Sequence, residues 1–90
     1  MSDSEQRRLF LEALWVEDGL SDNSVAAYRT DLKLFARWLA DKRKLSLLTC
    51  NAADLSSYLA VRLADGISNR SSARFLSSLK RFYCYAIREA

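Results

Sequence analysis

The side chains best suited to chemistry gather near the end of the chain, in "SNRSSARFLSSLKRFYCYAIREA", residues 68–90. Arg70, Arg74, Ser77, Ser78, Arg81 and Arg88 recur there at spacings of about four and seven, opposite the apolar residues Phe75, Leu76, Leu79, Phe82, Tyr83, Ala86 and Ile87. On a helix this makes one continuous polar face. A solvated face usually mixes acids with bases, because opposite charges four residues apart add about 0.2–0.5 kcal/mol. Here Glu89 is the only carboxylate. Ser71, Ser72, Ser77 and Ser78 are also poor helix formers, and small hydroxyls let a helix axis come close to another surface. The chemistry on offer is anion binding. Long guanidinium forks grip phosphate or a guanine edge bidentately, and short hydroxyls meet phosphates near the helix start. Composition alone leaves a polyanion, a protein surface and bulk solvent all open as what this face meets.

A second polar row lies upstream at Asn23, Ser24, Arg29, Thr30, Lys33 and Arg37, with Asp31 interrupting it. The first turn of a helix there offers backbone N–H groups to a phosphate, although Asn23 and Ser24 read equally well as local capping residues. The basic run "DKRK", residues 41–44, complements the negative end of a helix dipole; a phosphate contact is the other reading. The charge is uneven along the chain. Residues 1–24 hold two cations and six carboxylates, whereas residues 66–90 hold five cations and one carboxylate. The basic end can face a polyanion and the acidic end cannot.

Catalytic and metal-binding constellations are missing from the pattern. The chain has no histidine, and Cys50 and Cys84 form no CxxC pair, which argues against zinc and any other metal. The two cysteines read as buried, reduced thiols. No paired carboxylates, nucleophile with base, or phosphate loop appears, so no catalytic residue and no cofactor is expected. Trp38 falls at the edge of an apolar stripe and reads as partly buried; Trp15 falls off its helix's apolar face, as a lid over the core or as an exposed partner contact.

The elements that must position these residues are helices. The chain has no proline and two glycines, and its 50% hydrophobic content over 90 residues suffices for one small domain. Periodicity predicts helices over about residues 4–18, 22–42, 51–65 and 69–88, an all-α, compact four-helix bundle. Gly19 and Gly66 supply stops, and Ser21 and Asn51 (or Thr49) supply starts. The inner stripes are Leu9, Phe10, Ala13, Leu14 and Val16 or Glu17; Val25, Tyr28, Leu32, Phe35, Ala36 and Leu39; Leu55, Tyr58, Leu59 and Leu63; and the apolar set of the fourth helix. No apolar run approaches the roughly 18 residues of a membrane span, and the acidic start lacks a signal-peptide pattern, so a soluble, cytoplasmic protein is expected.

With these elements placed, "LSDNSVAAYRTDLKLFARWL" (residues 20–39) and "SSARFLSSLKRFYCYAIRE" (71–89) resemble the N-terminal core-binding domain of bacterial Xer-type tyrosine recombinases. "FLEALWVEDGLSDNS" (10–24) fits too, so the resemblance covers nearly the whole chain. It implies a SAM-like four-helix bundle, one core-binding unit over residues 1–90, forming the first half of a C-shaped clamp around a double-stranded DNA recombination half-site. In such domains the second and fourth helices cross at the major groove. That would set Ser24 and Arg29, with Arg70, Ser71, Arg74, Ser78 and Arg81, against DNA; Asn23 and Lys33 join them from the polar row. Tyr28 matches a family tyrosine, but its place on the apolar stripe favours packing. Partner recombinase protomers in a synaptic tetramer are implied, with no small-molecule ligand and no membrane.

The departure from the family concerns catalysis. Its nucleophilic tyrosine and the arginines, lysine and histidines around it belong to a C-terminal domain, and this sequence ends at Ala90 before any of it. Tyr28, Tyr58, Tyr83 and Tyr85 read as packed or surface residues. The expectation is therefore a DNA-binding unit without catalysis of its own. The alternative is a helical protein-interaction module, in which the acidic first helix of one copy meets the basic fourth helix of another.

Overall fold

The computed structural model describes residues 3–88, and residues suited to turns and caps separate its helices. Helix α1 (Asp3–Val16) gives way to Gly19, whose φ of 65° is a left-handed conformation that costs glycine little. Ser21 then caps α2 (Asp22–Trp38): its side-chain oxygen accepts the Ser24 backbone N–H at 3.2 Å, and Asp22 faces the positive helix end. α3 (Ala52–Ala64) opens with a capping box, in which Asn51 and Asp54 each accept the other's backbone N–H at 3.1 and 3.0 Å. α4 (Asn69–Arg88) starts where Ser68 accepts the Ser71 backbone N–H at 3.2 Å. The result is an all-α arrangement of four helices, with no strand among the described residues.

The second helical run reaches its expected end near residue 42, though not as an α-helix throughout. It is α-helical only to Trp38; Leu39–Arg43 form a π turn, and Lys44, at φ 58°, reverses the chain while its N–H bonds the Leu39 carbonyl. The wider turn leaves Leu39 fully buried and sets the Arg43 guanidinium 5.4 Å over the Trp38 ring and 3.6 Å from Asp54.

Helices α1, α2 and α4 pack on one another around Phe10, Leu14, Leu32, Phe35, Phe75, Leu79 and Phe82. Phe35 is the hub. Its ring centroid lies 4.8 Å from Tyr58 of α3 and 5.4 Å, edge-on, from Phe75 of α4. Leu47, from the connection before α3, closes the core, and the Tyr83 hydroxyl donates to its carbonyl.

Several expected core positions face solvent instead: Val16, Leu63, Leu76 and Ile87. Geometry explains two of them, since Leu63 stands five residues from buried Tyr58 and Ile87 five from buried Phe82, about 140° round the helix in each case. α3 turns Asp54, Tyr58 and Arg62 inward, four residues apart. Arg62 is only 4% exposed; its guanidinium stacks 5.1 Å over Phe75 and 5.8 Å over Tyr58, and Nε donates to Ser72 Oγ at 3.4 Å. Two thiols buried alike was the expectation, but Cys84 is exposed. Cys50 is half-buried with Sγ 3.1 Å from the Tyr83 hydroxyl. Trp38 is half-buried, whereas Trp15 is 58% exposed and is no lid. No helix among the described residues is long and apolar enough to cross a membrane.

Candidate nucleic-acid interface

Arg74 is the best-anchored cation of α4. Its Nε and Nη2 donate to the two carboxylate oxygens of Asp31 on α2, at 3.0 and 2.9 Å. Asp31 is 2% exposed, so it lies under the guanidinium, inside the polar row it was expected to interrupt. A carboxylate so enclosed needs a partner of this kind. Its hydrogen bonds, and secondarily its charge, hold the Arg74 proton more tightly than an ordinary arginine's, against the opposing effect of burial. The raised value means that the arginine side of this pair is lost only at strongly alkaline pH and is constant through neutrality. The outer edge of Arg74 stays open, with 45% of its side chain exposed, and three of its five N–H donors are uncommitted to Asp31.

The Asp31–Arg74 and Phe35–Phe75 contacts fasten this part of α4 to α2. Arg70, one turn earlier on α4, is exposed and unpaired among the described residues. Ser71 is half-buried in the first turn, where its hydroxyl accepts from Ser68 at 3.2 Å. Ser78 corrects the expectation: it is 0% exposed and its hydroxyl donates to the Phe75 carbonyl at 2.8 Å. A serine tucked against the preceding turn allows close helix packing and cannot reach a groove. Arg81 and Arg88 reach across to the end of α1, to Asp18 at 3.4 Å and Glu17 at 3.5 Å; all four side chains are exposed, so these pairs are weak.

The α2 residues divide between two flanks. Asn23 is exposed at the helix start, and Ser24 is half-buried in a local hydroxyl contact with Ser21 at 3.2 Å. Arg29 and Lys33 lie about 160–200° round the helix from Asp31 and line a groove against α1, beside Arg7 and Arg8. The nine expected contact residues therefore do not form one patch. Arg70, Ser71 and Arg74 share the α4 side, Arg29 and Lys33 the α1 side, and Arg81 pairs across the α1–α4 seam.

Among the described residues no group of three or more His, Cys, Asp or Glu side chains converges as a metal site would. Tyr58 is enclosed between Phe35 and Phe75, and Tyr83 is committed to the Leu47 carbonyl. What the surface offers is cations on fixed helical posts. Sequence reading missed the roles of Asp31 and Arg62, charged residues that face inward; the one available signal was their spacing, since each falls four residues from an apolar inner position, Phe35 and Tyr58.

Residues 8–90 match the family of phage integrase N-terminal SAM-like domains. The chain belongs to that family. This SAM-like domain is 45% identical over 80 residues to the tyrosine recombinase XerD of Proteus mirabilis, covering 89% of the chain and 25% of that protein. It is 49% identical over 80 residues to the XerD of Pseudomonas aeruginosa, covering 89% and 26%. With the Pasteurella multocida XerD it shares 40% identity over 89 residues, covering 99% and 30%. The SAM-like domain thus spans between a quarter and a third of the length of the curated relatives it matches. No solved structure matches it.

Proposed function

We propose that this domain binds double-stranded DNA at a recombination half-site, as the N-terminal half of a site-specific tyrosine recombinase clamp. The observation that carries the reading is α4: five cations and no acid along 20 residues, fastened to α2 by an anchored arginine, within an integrase-family domain. Sites of this kind serve DNA integration and recombination, including chromosome dimer resolution in the bacterial cytoplasm. Arg70 and the open edge of Arg74 reach base edges, while Asn23, Ser24 and Ser71 meet phosphates at the two helix starts. Arg81 exchanges its exposed carboxylate for a phosphate at little cost. The chemical step belongs to a separate catalytic domain; this segment contributes grip and register, and partner protomers complete the assembly.

The test is fluorescence anisotropy of the domain on a labelled Xer-type duplex and a scrambled one, across a salt series. Tighter binding to the cognate duplex, with log affinity falling by about 0.9 per log unit of salt for each phosphate contact, supports the reading. No salt-dependent binding to either duplex would refute it. One observation favours a second reading as a protein-docking module: Trp15 stands 58% exposed beside Leu11 and Val25, as anchors of protein interfaces do.

A further inference from the structure

The cations of this domain differ in whether an acid already answers them. On α4, Arg74 faces Asp31 of α2, and Arg81 and Arg88 face Asp18 and Glu17 in the turn after α1. Along the groove between α1 and α2 the balance reverses. Arg7, Arg29, Lys33 and Arg37 line it, and none of them pairs with a carboxylate among the described residues. Its one acidic lining residue, Glu12, is taken by Arg8 at 3.5 Å. A second observation points the same way: Arg7 Nε is enclosed yet has no hydrogen-bond partner. Such an orphan donor is rare in a folded domain, and it leaves the charge of Arg7, which lines the groove, unanswered among the described residues.

We infer that the α1–α2 groove is a second anion track, built to hold the phosphodiester backbone of nucleic acid. The dimensions favour a polymer over a single anion. Arg29, Lys33 and Arg37 follow one another at four-residue spacing, a row about 12 Å long. A row of that length can meet more than one phosphate of a strand, where a small anion would meet a single site. Between the cations the walls are mostly apolar, Leu11, Ala36, Ala40 and Leu45, with Ser4 and Ser46 beside them. A row of cations with few other hydrogen-bonding groups suits the backbone, which is alike in every sequence, so its contribution is independent of sequence. Like charges held near one another repel, so the free domain carries a strain here that a polyanion relieves. The assignment rests on the DNA-binding reading above and adds Arg7 and Arg37 to it.

The experiment is the anisotropy salt series repeated with Arg7→Gln/Arg37→Gln and with Arg37→Gln alone, on cognate and scrambled duplexes of equal length. The double variant is expected to lower the log–log salt slope by about 1.8, and the single one by about 0.9, on both duplexes, leaving their affinity ratio unchanged. Both variants should melt no lower than the parent, because neither side chain loses a partner; Arg37→Gln serves alone if the double variant melts early. A parent that binds with unchanged slopes in the variants overturns the groove while sparing the DNA-binding reading. A loss confined to the cognate duplex overturns the backbone assignment, since it would make these residues base readers. A parent that binds neither duplex removes both conclusions together.

Discussion

Replacing Arg74 with alanine removes two charge-assisted hydrogen bonds at once and leaves the Asp31 carboxylate beneath a hole. Stranding a fully buried partner costs about 3–5 kcal/mol. The outer side of Arg74 is open, so water enters the space and recovers part of that. A loss of about 2–3 kcal/mol is expected, which in a domain of this size lowers Tm by roughly 10–20 °C. Asp31→Asn should be milder, about 1 kcal/mol, because the stranded group is then an arginine that reaches solvent. Removing both with an apolar pair, Asp31→Leu/Arg74→Met, should cost less than the sum of the single losses, since no buried charge is left unmatched. Thermal melts followed by far-UV circular dichroism at neutral pH measure all four chains. If Arg74→Ala melts within about 2 °C of the parent, Asp31 does not depend on it and the reasoning fails.

Two further outcomes follow from the interior. Arg62→Ala should destabilise the domain by about 2–3 kcal/mol through lost packing over Phe75 and Tyr58, far more than an ordinary surface arginine; a chemical denaturation midpoint close to the parent's would contradict this. A thiol-reactive probe should label Cys84 rapidly in the native domain and Cys50 slowly, reaching both only after denaturation, and equal native rates would contradict the burial described.

The helices themselves were legible in the sequence. Gly19, Ser21, Asn51 and Gly66 punctuate the chain as expected, and Phe35, Phe75 and Phe82 stand on the inner stripes assigned to them. What escaped were residues whose type argues one way and whose neighbours argue the other. Asp31 and Arg62 read as wet because they are charged, yet each is enclosed by a partner distant in sequence: Arg74 lies 43 residues from Asp31. Ser78 read as part of an outward face, but the smallness that suggested close approach to a ligand serves close approach between helices. Leu47 lies in a connection, where no periodicity exists to flag it. Of the candidate interface, the α4 arginines could be found by spacing. The division of α2 into two flanks depended on which side α1 and α4 occupy, and a one-dimensional pattern does not carry that.

The missing acids of α4 also bear on what stabilises that helix. A helix gains stability in isolation from its own opposite-charge pairs, and α4 has none within its described length, while Arg70 and Arg74 repel across one turn. Its serines add to the deficit, and nucleation is costly for any single helix. The charges that answer it arrive from elsewhere, Glu17 and Asp18 at the end of α1 and Asp31 within α2. The charge balance of α4 is thus completed only by its packing against the first half of the chain. The surface richest in binding charge therefore draws part of its stability from acids that lie outside its own helix.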